Sequence, residues 1–245
     1  MTTIDRSRTN SVQNSVYVTL RNSIINLNLA PGTTISEKEI ALRFNISRTP
    51  VREAFIHLSK EGLVKVYPQK ETQVSPIDFV RVKQELFLRA SLENAVVEFF
   101  LQNCGSGDYK TLEELITKQT AAVKTKSYTE FLDHDNSFHH LFFEVGGQVL
   151  SWEVLDRMSG HYHRARLLSI WLTGAGNDLV RDHQKIYNAL KKQDLETARK
   201  LLYLHIYKLD AEEEILRGKF PGYFTSGEEK NTFDVDFGGF PLPSG

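Results

Sequence analysis

The sequence predicts a mainly α-helical protein, an N-terminal winged helix-turn-helix followed by a larger all-helical antiparallel bundle. Three observations predict it. Apolar residues recur at helical spacing over most of the chain, a three-residue turn separates two short helices near residue 46, and two short β-type stretches follow them directly. That order, helix, helix, tight turn, helix, hairpin, is the winged arrangement.

Residues 1–10 are polar and aperiodic and read as a flexible arm. Val12, Val16, Leu20, Ile24 and Leu27 then mark an amphipathic helix that Ala30-Pro31-Gly32 breaks. Ser36 with Glu39 reads as a capping box opening a helix through Ile40, Leu42 and Phe44. After Asn45-Ile46-Ser47, Ser47 is a suitable N-cap and Pro50 falls in the first turn, where a missing N–H costs least. This third helix should bury Val51, Ala54, Phe55 and Leu58 and stop at Glu61-Gly62. Leu63–Tyr67 and Thr72–Ser75 supply the wing hairpin. The winged unit thus spans 11–76, and Pro76-Ile77-Asp78 marks the junction. From 78 to 217 the pattern is helical, with breaks near 105–108, 127, 146–147, 174–177 and 193–194, giving about six helices. The tail, 218–245, holds six Gly, three Pro and five Phe; it should be irregular, either disordered or with its aromatics packed on a surface or a partner.

Composition narrows the class. With 40% hydrophobic and 25% charged residues the chain is an ordinary globular protein, and no apolar run reaches the ~18 residues of a membrane span. One cysteine, Cys104, excludes an intrachain disulfide, and the first residues lack a signal-peptide core, so a cytoplasmic setting is expected. Residues 1–78 carry ten Lys/Arg against seven Asp/Glu, +3, while the rest carries twenty against twenty-four, −4. The N-terminal part is therefore the one suited to an anion.

Arg48 and Arg52 lie four apart at the start of the third helix, opposite Val51, Phe55 and Leu58. Two guanidiniums behind a tight turn suit a major groove, where the planar fork meets guanine O6 and N7 or a phosphate. Alone, they would equally be solvated charges, with Arg52 paired to Glu53 or Glu61. The surrounding residues carry more. Ile35-Ser36-Glu37-Lys38-Glu39-Ile40-Ala41, then Ile46-Ser47-Arg48-Thr49-Pro50-Val51-Arg52-Glu53-Ala54, then Leu58-x-x-Glu61-Gly62-Leu63-Val64, resemble the GntR family of regulators over about residues 16–75. The resemblance implies DNA contacts by Arg48 and Arg52, with Lys38, Ser47, Thr49 and the wing residues Lys70 and Thr72 alongside. The family's wing run is Arg-Gly-Thr; here Lys70-Glu71-Thr72 puts a carboxylate where the glycine stands.

Seven of eight histidines lie between 134 and 205. Asp135 and His139 share a face with Leu132 and Phe142, His183 with Ile186 and Leu190, and His205 with Leu202 and Leu209. Three imidazoles and a carboxylate thus point into the bundle, where unpaired polar groups are costly. Each alone reads as a hydrogen-bonded core residue; together they suit a divalent transition metal, zinc or nickel. Asp135-x-x-Phe138-His139, Asp182-His183-x-x-Ile186-x-x-Ala189-Leu190, and Asp194-x-x-x-Ala198 with His205 resemble the FCD domain of the FadR subfamily, over about 80–216. That resemblance implies that Asp135, His139, His183 and His205 hold such a metal, and that small organic acids bind partly to it. It also places Arg89 at the ligand cavity, where it would pair with an acid; a salt bridge to Glu85 or Glu93 is the alternative. Arg164 and Arg166 are further candidates, and His134, His140, His161 and His163 match no ligand position.

The expectation is therefore a homodimeric DNA-binding regulator, acting on a palindromic operator, controlled by a small carboxylate at a metal site. A metal-responsive regulator is the first alternative. A helical metal-dependent enzyme is the second, disfavoured because no His-Glu-x-x-His, phosphate loop or nucleophile elbow occurs.

Overall fold

The computed structural model describes residues 6–67 and 71–226; Lys70, residues 1–5 and 227–245 lie outside them. Helix α1 (Arg6–Ile25) buries Val16, Leu20 and Ile24. It starts before Val12, so residues 6–10, expected as an arm, continue the helix. Strand β1 (Thr34–Ile35), α2 (Glu37–Phe44), α3 (Arg48–Lys60), β2 (Val64–Val66) and β3 (Thr72–Val74) complete the winged unit. β3 runs antiparallel between its neighbours, with Ile35 and Val66 opposite Thr72 and Val64 opposite Val74. The sequence reading found only the β2–β3 hairpin, because two residues are too few to show alternation; β1 is held by its partner strand rather than its own pattern. Ser36 caps α2 by accepting from the Lys38 amide, and Asn45 ends it in the left-handed conformation, φ 53°, that makes the tight turn.

The second unit is built from α4 (Phe79–Asn103), α5 (Ser106–Thr125), α6 (Tyr128–Val145), α7 (Val149–Met158), α8 (Gly160–Thr173), α9 (Gly176–Lys191), α10 (Leu195–Ile206), a 3₁₀ segment (Tyr207–Glu212) and α11 (Glu213–Lys219). All five expected breaks occur. Two more, at Ser159 and over 207–212, raise the expected six helices to eight α-helices among the described residues of this unit. Ser159 closes α7 by donating from its hydroxyl to Leu155 O, 2.6 Å away. Gly160 then lets α8 approach the wing, since a Cβ there would sit 2.6 Å from Leu63 Cδ2.

Every residue of α8 from Gly160 to Ile170 is buried, with α4, α6, α1, α11 and the 3₁₀ segment around it. A helix covered on all sides shows no amphipathic period, which is why the sequence merged it with α7. It also grips the winged unit. Arg164 donates from Nη1 to Ser75 O (2.6 Å) and from Nε to Gly160 O (3.1 Å). His161 Nδ1 accepts from the Asp78 amide (3.0 Å) and faces Arg164 Nη2 (3.2 Å), so the neutral ring carries its proton on Nε2. Burial, with Arg164 and Arg81 nearby, holds His161 well below its usual range and keeps it neutral. A second tie runs from α1, where Arg21 pairs with Glu61 (3.1 Å) and Asp156 (3.2 Å).

The chain end returns to this junction. Phe224 pairs in parallel with Ile77: the Ile77 amide donates to Tyr223 O (2.7 Å) and the Thr225 amide to Ile77 O (3.0 Å). Phe224 stacks on Phe79 with centroids 5.1 Å apart, and the Arg217 guanidinium lies over both rings.

Because Leu63 is wholly buried, it has no room to yield to a methyl group on residue 160. Gly160→Ala should lower unfolding free energy by about 1–3 kcal/mol, as overpacked cores do, measured by denaturant unfolding; an unchanged midpoint would show that the wing and α8 separate freely.

Candidate metal centre and nucleic-acid interface

Ser47, Arg48, Thr49 and Arg52 are exposed around the N-terminal turn of α3, and Lys38 is exposed on α2. Ser47 occupies the N-cap position but its hydroxyl caps nothing. Among the described residues no carboxylate pairs with Arg48. Arg52 meets Glu37 through Nε (3.0 Å) and Nη2 (3.1 Å), a partner on α2 rather than Glu53 or Glu61. The arginine is 66% exposed, so solvent screens the pair and a phosphate can replace it at small cost. Thr72 is a correction: it is 4% exposed, in the middle strand of the sheet, and its side chain is not available to DNA. Glu71, beside it, is exposed.

In the second unit, Asp135 and His139 come from α6, His183 from α9 and His205 from α10. One donor atom from each lies within 4.8 Å of all the others, and all four residues are buried. His183 Nε2 stands 3.1 Å from His205 Nε2 and 3.4 Å from Asp135 Oδ1. The opposite ring nitrogens of His183 and His139 are occupied. Gln119 Oε1 sits 2.6 Å from His183 Nδ1, with the Gln119 amide turned to His134 O (3.3 Å), so the imidazole donates to it. Glu93 Oε2 likewise receives His139 Nδ1 at 2.6 Å. Both Nε2 lone pairs therefore face the cluster.

Two atoms there, Asp135 Oδ1 and His139 Nε2, are buried without a hydrogen-bond partner, while Asp135 Oδ2 is met by Arg166. Such orphans are rare and call for a cause. A cation among three imidazoles and a carboxylate satisfies both of them, and this donor set fits a divalent transition metal. Electrostatics agree. Burial opposes ionisation of Asp135, yet Arg166, whose Nη2 lies 2.5 Å from Oδ2, holds its carboxyl well below the usual range. Burial, then the neighbouring His205, holds His183 well below its ordinary value, leaving it neutral and free to ligate. Glu93, opposed by burial but beside His139 and Arg89, is lowered to about 2.

Arg89 donates from Nε to Glu93 (2.7 Å) and lies 3.7 Å from Asp135, so the salt-bridge alternative describes its place in this structure. The cavity next to the cluster, about 280 Å³, is lined instead by Arg166, Tyr162, Ser169 and His205, with Lys208 and Glu212 from the 3₁₀ segment. Arg164 serves the junction. The sequence reading missed Gln119 and Glu93. Their signal was present: each is the polar member of an apolar stripe, Leu112-Leu115-Ile116-Gln119-Ala122 and Leu86-Ala90-Glu93-Val97.

Partners that fix the tautomer of a ligating imidazole are worth about 10–100-fold in metal affinity. Gln119→Leu should weaken Zn²⁺ binding by that factor with the fold kept, measured by competition with a chromophoric chelator. Unchanged affinity would remove Gln119 from the site.

Comparison with known proteins agrees with this geometry. The family "Bacterial regulatory proteins, gntR family" matches residues 12–74, and "FCD domain" matches residues 85–208. The "HTH-type transcriptional repressor RspR" of Escherichia coli (strain K12) is 30% identical over 217 residues, 89% of this chain and 95% of that protein. An "Uncharacterized HTH-type transcriptional regulator in unstable DNA locus" of Streptomyces ambofaciens is 31% identical over 219 residues, 89% and 91% of the two chains. Among solved structures, E. coli McbR/YncC superposes with a TM-score of 0.72 at 19% identity, over 85% of this chain and 98% of that one. A putative GntR regulator from Rhodococcus sp. RHA1 gives 0.66 at 24% identity, over 84% and 98%. These two share the fold. Both matched families and the named relatives are transcriptional regulators rather than enzymes. The chain belongs to the GntR family and is a transcriptional regulator with a GntR winged helix-turn-helix and an FCD domain.

Proposed function

We propose that this regulator binds a palindromic operator as a homodimer, and that a small carboxylate held at a divalent metal in the FCD domain sets its affinity for that operator. The observation that carries the reading is the meeting of four buried donor atoms with a cavity that reaches both His205 and Arg166. Held by Asp135, His139, His183 and His205, zinc or nickel would supply Lewis-acid positions for a carboxylate. The chain's own residues do the rest. Arg166 offers a guanidinium to the acid, while Arg89 holds Glu93 and, through it, His139. Arg48 and Arg52 read the major groove, with Lys38, Ser47 and Thr49 on the backbone, and Lys70 at the wing. Val80 and Phe87, exposed two turns apart on α4, suit burial against a second copy.

Helix α8 links the two functions. Tyr162, Arg166 and Ser169 face the cavity, whereas His161 and Arg164 hold residues 75–78. An effector that reseats α8 changes the pose of the winged units, and with it operator affinity. A metal-responsive regulator is the second reading, favoured by the near-complete burial of a ligand set made wholly of protein groups.

The test is a thermal-shift matrix on chelator-stripped protein, crossing Zn²⁺ and Ni²⁺ with small carboxylic acids. A ligand at a hundred times its dissociation constant adds about 2.7 kcal/mol. Acid-dependent stabilisation that needs metal is expected; a shift by metal alone, with no acid adding to it, gives the metal-responsive reading. For the DNA arm, selection from a random duplex pool should enrich a palindrome, and Arg48→Ala should weaken the enriched site by at least about 1–3 kcal/mol, the worth of one bidentate base contact. Equal affinity of the variant would remove Arg48 from the groove.

A further inference from the structure

The cavity beside the metal-ligand cluster has two poles of opposite charge. Arg166 stands at one, beside the ligand cluster where it also pairs with Asp135 (2.5 Å), and its guanidinium lies over the Tyr162 ring, 5.1 Å from the centroid. Glu212 stands at the other. It receives the Ser169 hydroxyl, and among the described residues no cation pairs with it. The remaining charges in the lining are neutralised by neighbours, Lys208 by Asp182 and Asp178 by Arg181. Arg166 and Ser169 are three apart on α8, so the poles lie roughly one helical turn from each other. Between them the walls are apolar: Ile170, Leu179, Ile206 and Leu209.

We infer that the effector is a short aminocarboxylate, its carboxylate at the Arg166 and His205 end and its ammonium at Glu212. This rests on the acid-binding reading above and narrows it. A carboxylate without a cation, on a half-buried wall, is a costly neighbour for a second acid group. For an ammonium it is an acceptor of a charge-assisted hydrogen bond, which is among the stronger contacts a protein offers. At about 280 Å³ the cavity is below the range for drug-sized ligands, so the body between the two charges is a few carbons long. A monoacid with a methyl end fills the apolar walls but leaves Glu212 unanswered. A diacid sets its second charge against it.

Ligands of equal chain length that differ only at the far end test the assignment. Zn²⁺-loaded protein would be titrated calorimetrically with 3-aminopropanoate and 4-aminobutanoate, then with propanoate, butanoate, malonate and succinate. The aminocarboxylates should bind on the order of tenfold tighter than the methyl-ended acids, the low end for a hydrogen bond to a charged group, and tighter still than the diacids. Glu212→Gln, which keeps the shape and the Ser169 contact, should erase that preference with Zn²⁺ affinity retained. Diacids binding the native protein as well as the aminocarboxylates would overturn the inference, as would a preference that survives Glu212→Gln. If the methyl-ended acids or diacids bind with metal present while the aminocarboxylates do not, acid binding stands and this inference falls. If no acid binds metal-loaded protein, both fall.

Discussion

A guanidinium with no exposed surface must find acceptors within the protein, and Arg164 finds them on both units at once. It bonds Ser75 O at the end of the wing and Gly160 O at the start of α8, and it faces His161, which receives the Asp78 amide. Burial lowers Arg164 to about 10, yet leaves it charged at neutral pH. Breaking such a buried set on one side leaves a charge uncompensated, which is far costlier than never having formed it. The winged unit is therefore not hung on a slack linker. Residues 75–78 are held on one side by α8 and on the other by the returning chain end.

The same helix touches both the cavity and the segment that leads to the winged unit. Residues 161 and 164 and residues 162, 166 and 169 fall on different faces of one rigid cylinder. Polar groups on both faces are satisfied by different partners: Asp135 on the side of the buried cluster, Ser75 and Asp78 on the wing side. Packed interiors respond to a local change by shifting between discrete arrangements rather than by yielding smoothly. A helix buried over its first eleven residues, Gly160–Ile170, suits that kind of response.

Much of this was legible in the chain. Short, patterned elements announced themselves through Ser36, Asn45, Gly62 and the glycines between helices, since caps and left-handed turns are local chemistry. The buried His/Asp cluster was legible because Asp135, His139, His183 and His205 each interrupt an apolar stripe. What escaped depends on tertiary partners. β1 exists only against β3, the break at Ser159 is set by the approach of Gly160 to Leu63, and Thr72, given a DNA contact by the resemblance, is buried in the middle strand. Arg89 and Arg166 could not be ranked from spacing, because their division of labour rests on Glu93 taking the first and the cavity receiving the second.

The pairing of Ile77 with Phe224 spans 147 positions, since 224 − 77 = 147. During synthesis on the ribosome the winged unit can finish its own core long before that partner exists, because its cluster draws only on residues 16–74. Residues 75–78 lack this partner until the whole FCD match, residues 85–208, has been made, and closing so long a loop adds little entropic cost beyond that of a shorter one. A nascent chain, or one cut short before residue 223, would thus carry a folded DNA reader with an incomplete joint. In this protein the last described strand-like contact is the final one of several ties between two folded units.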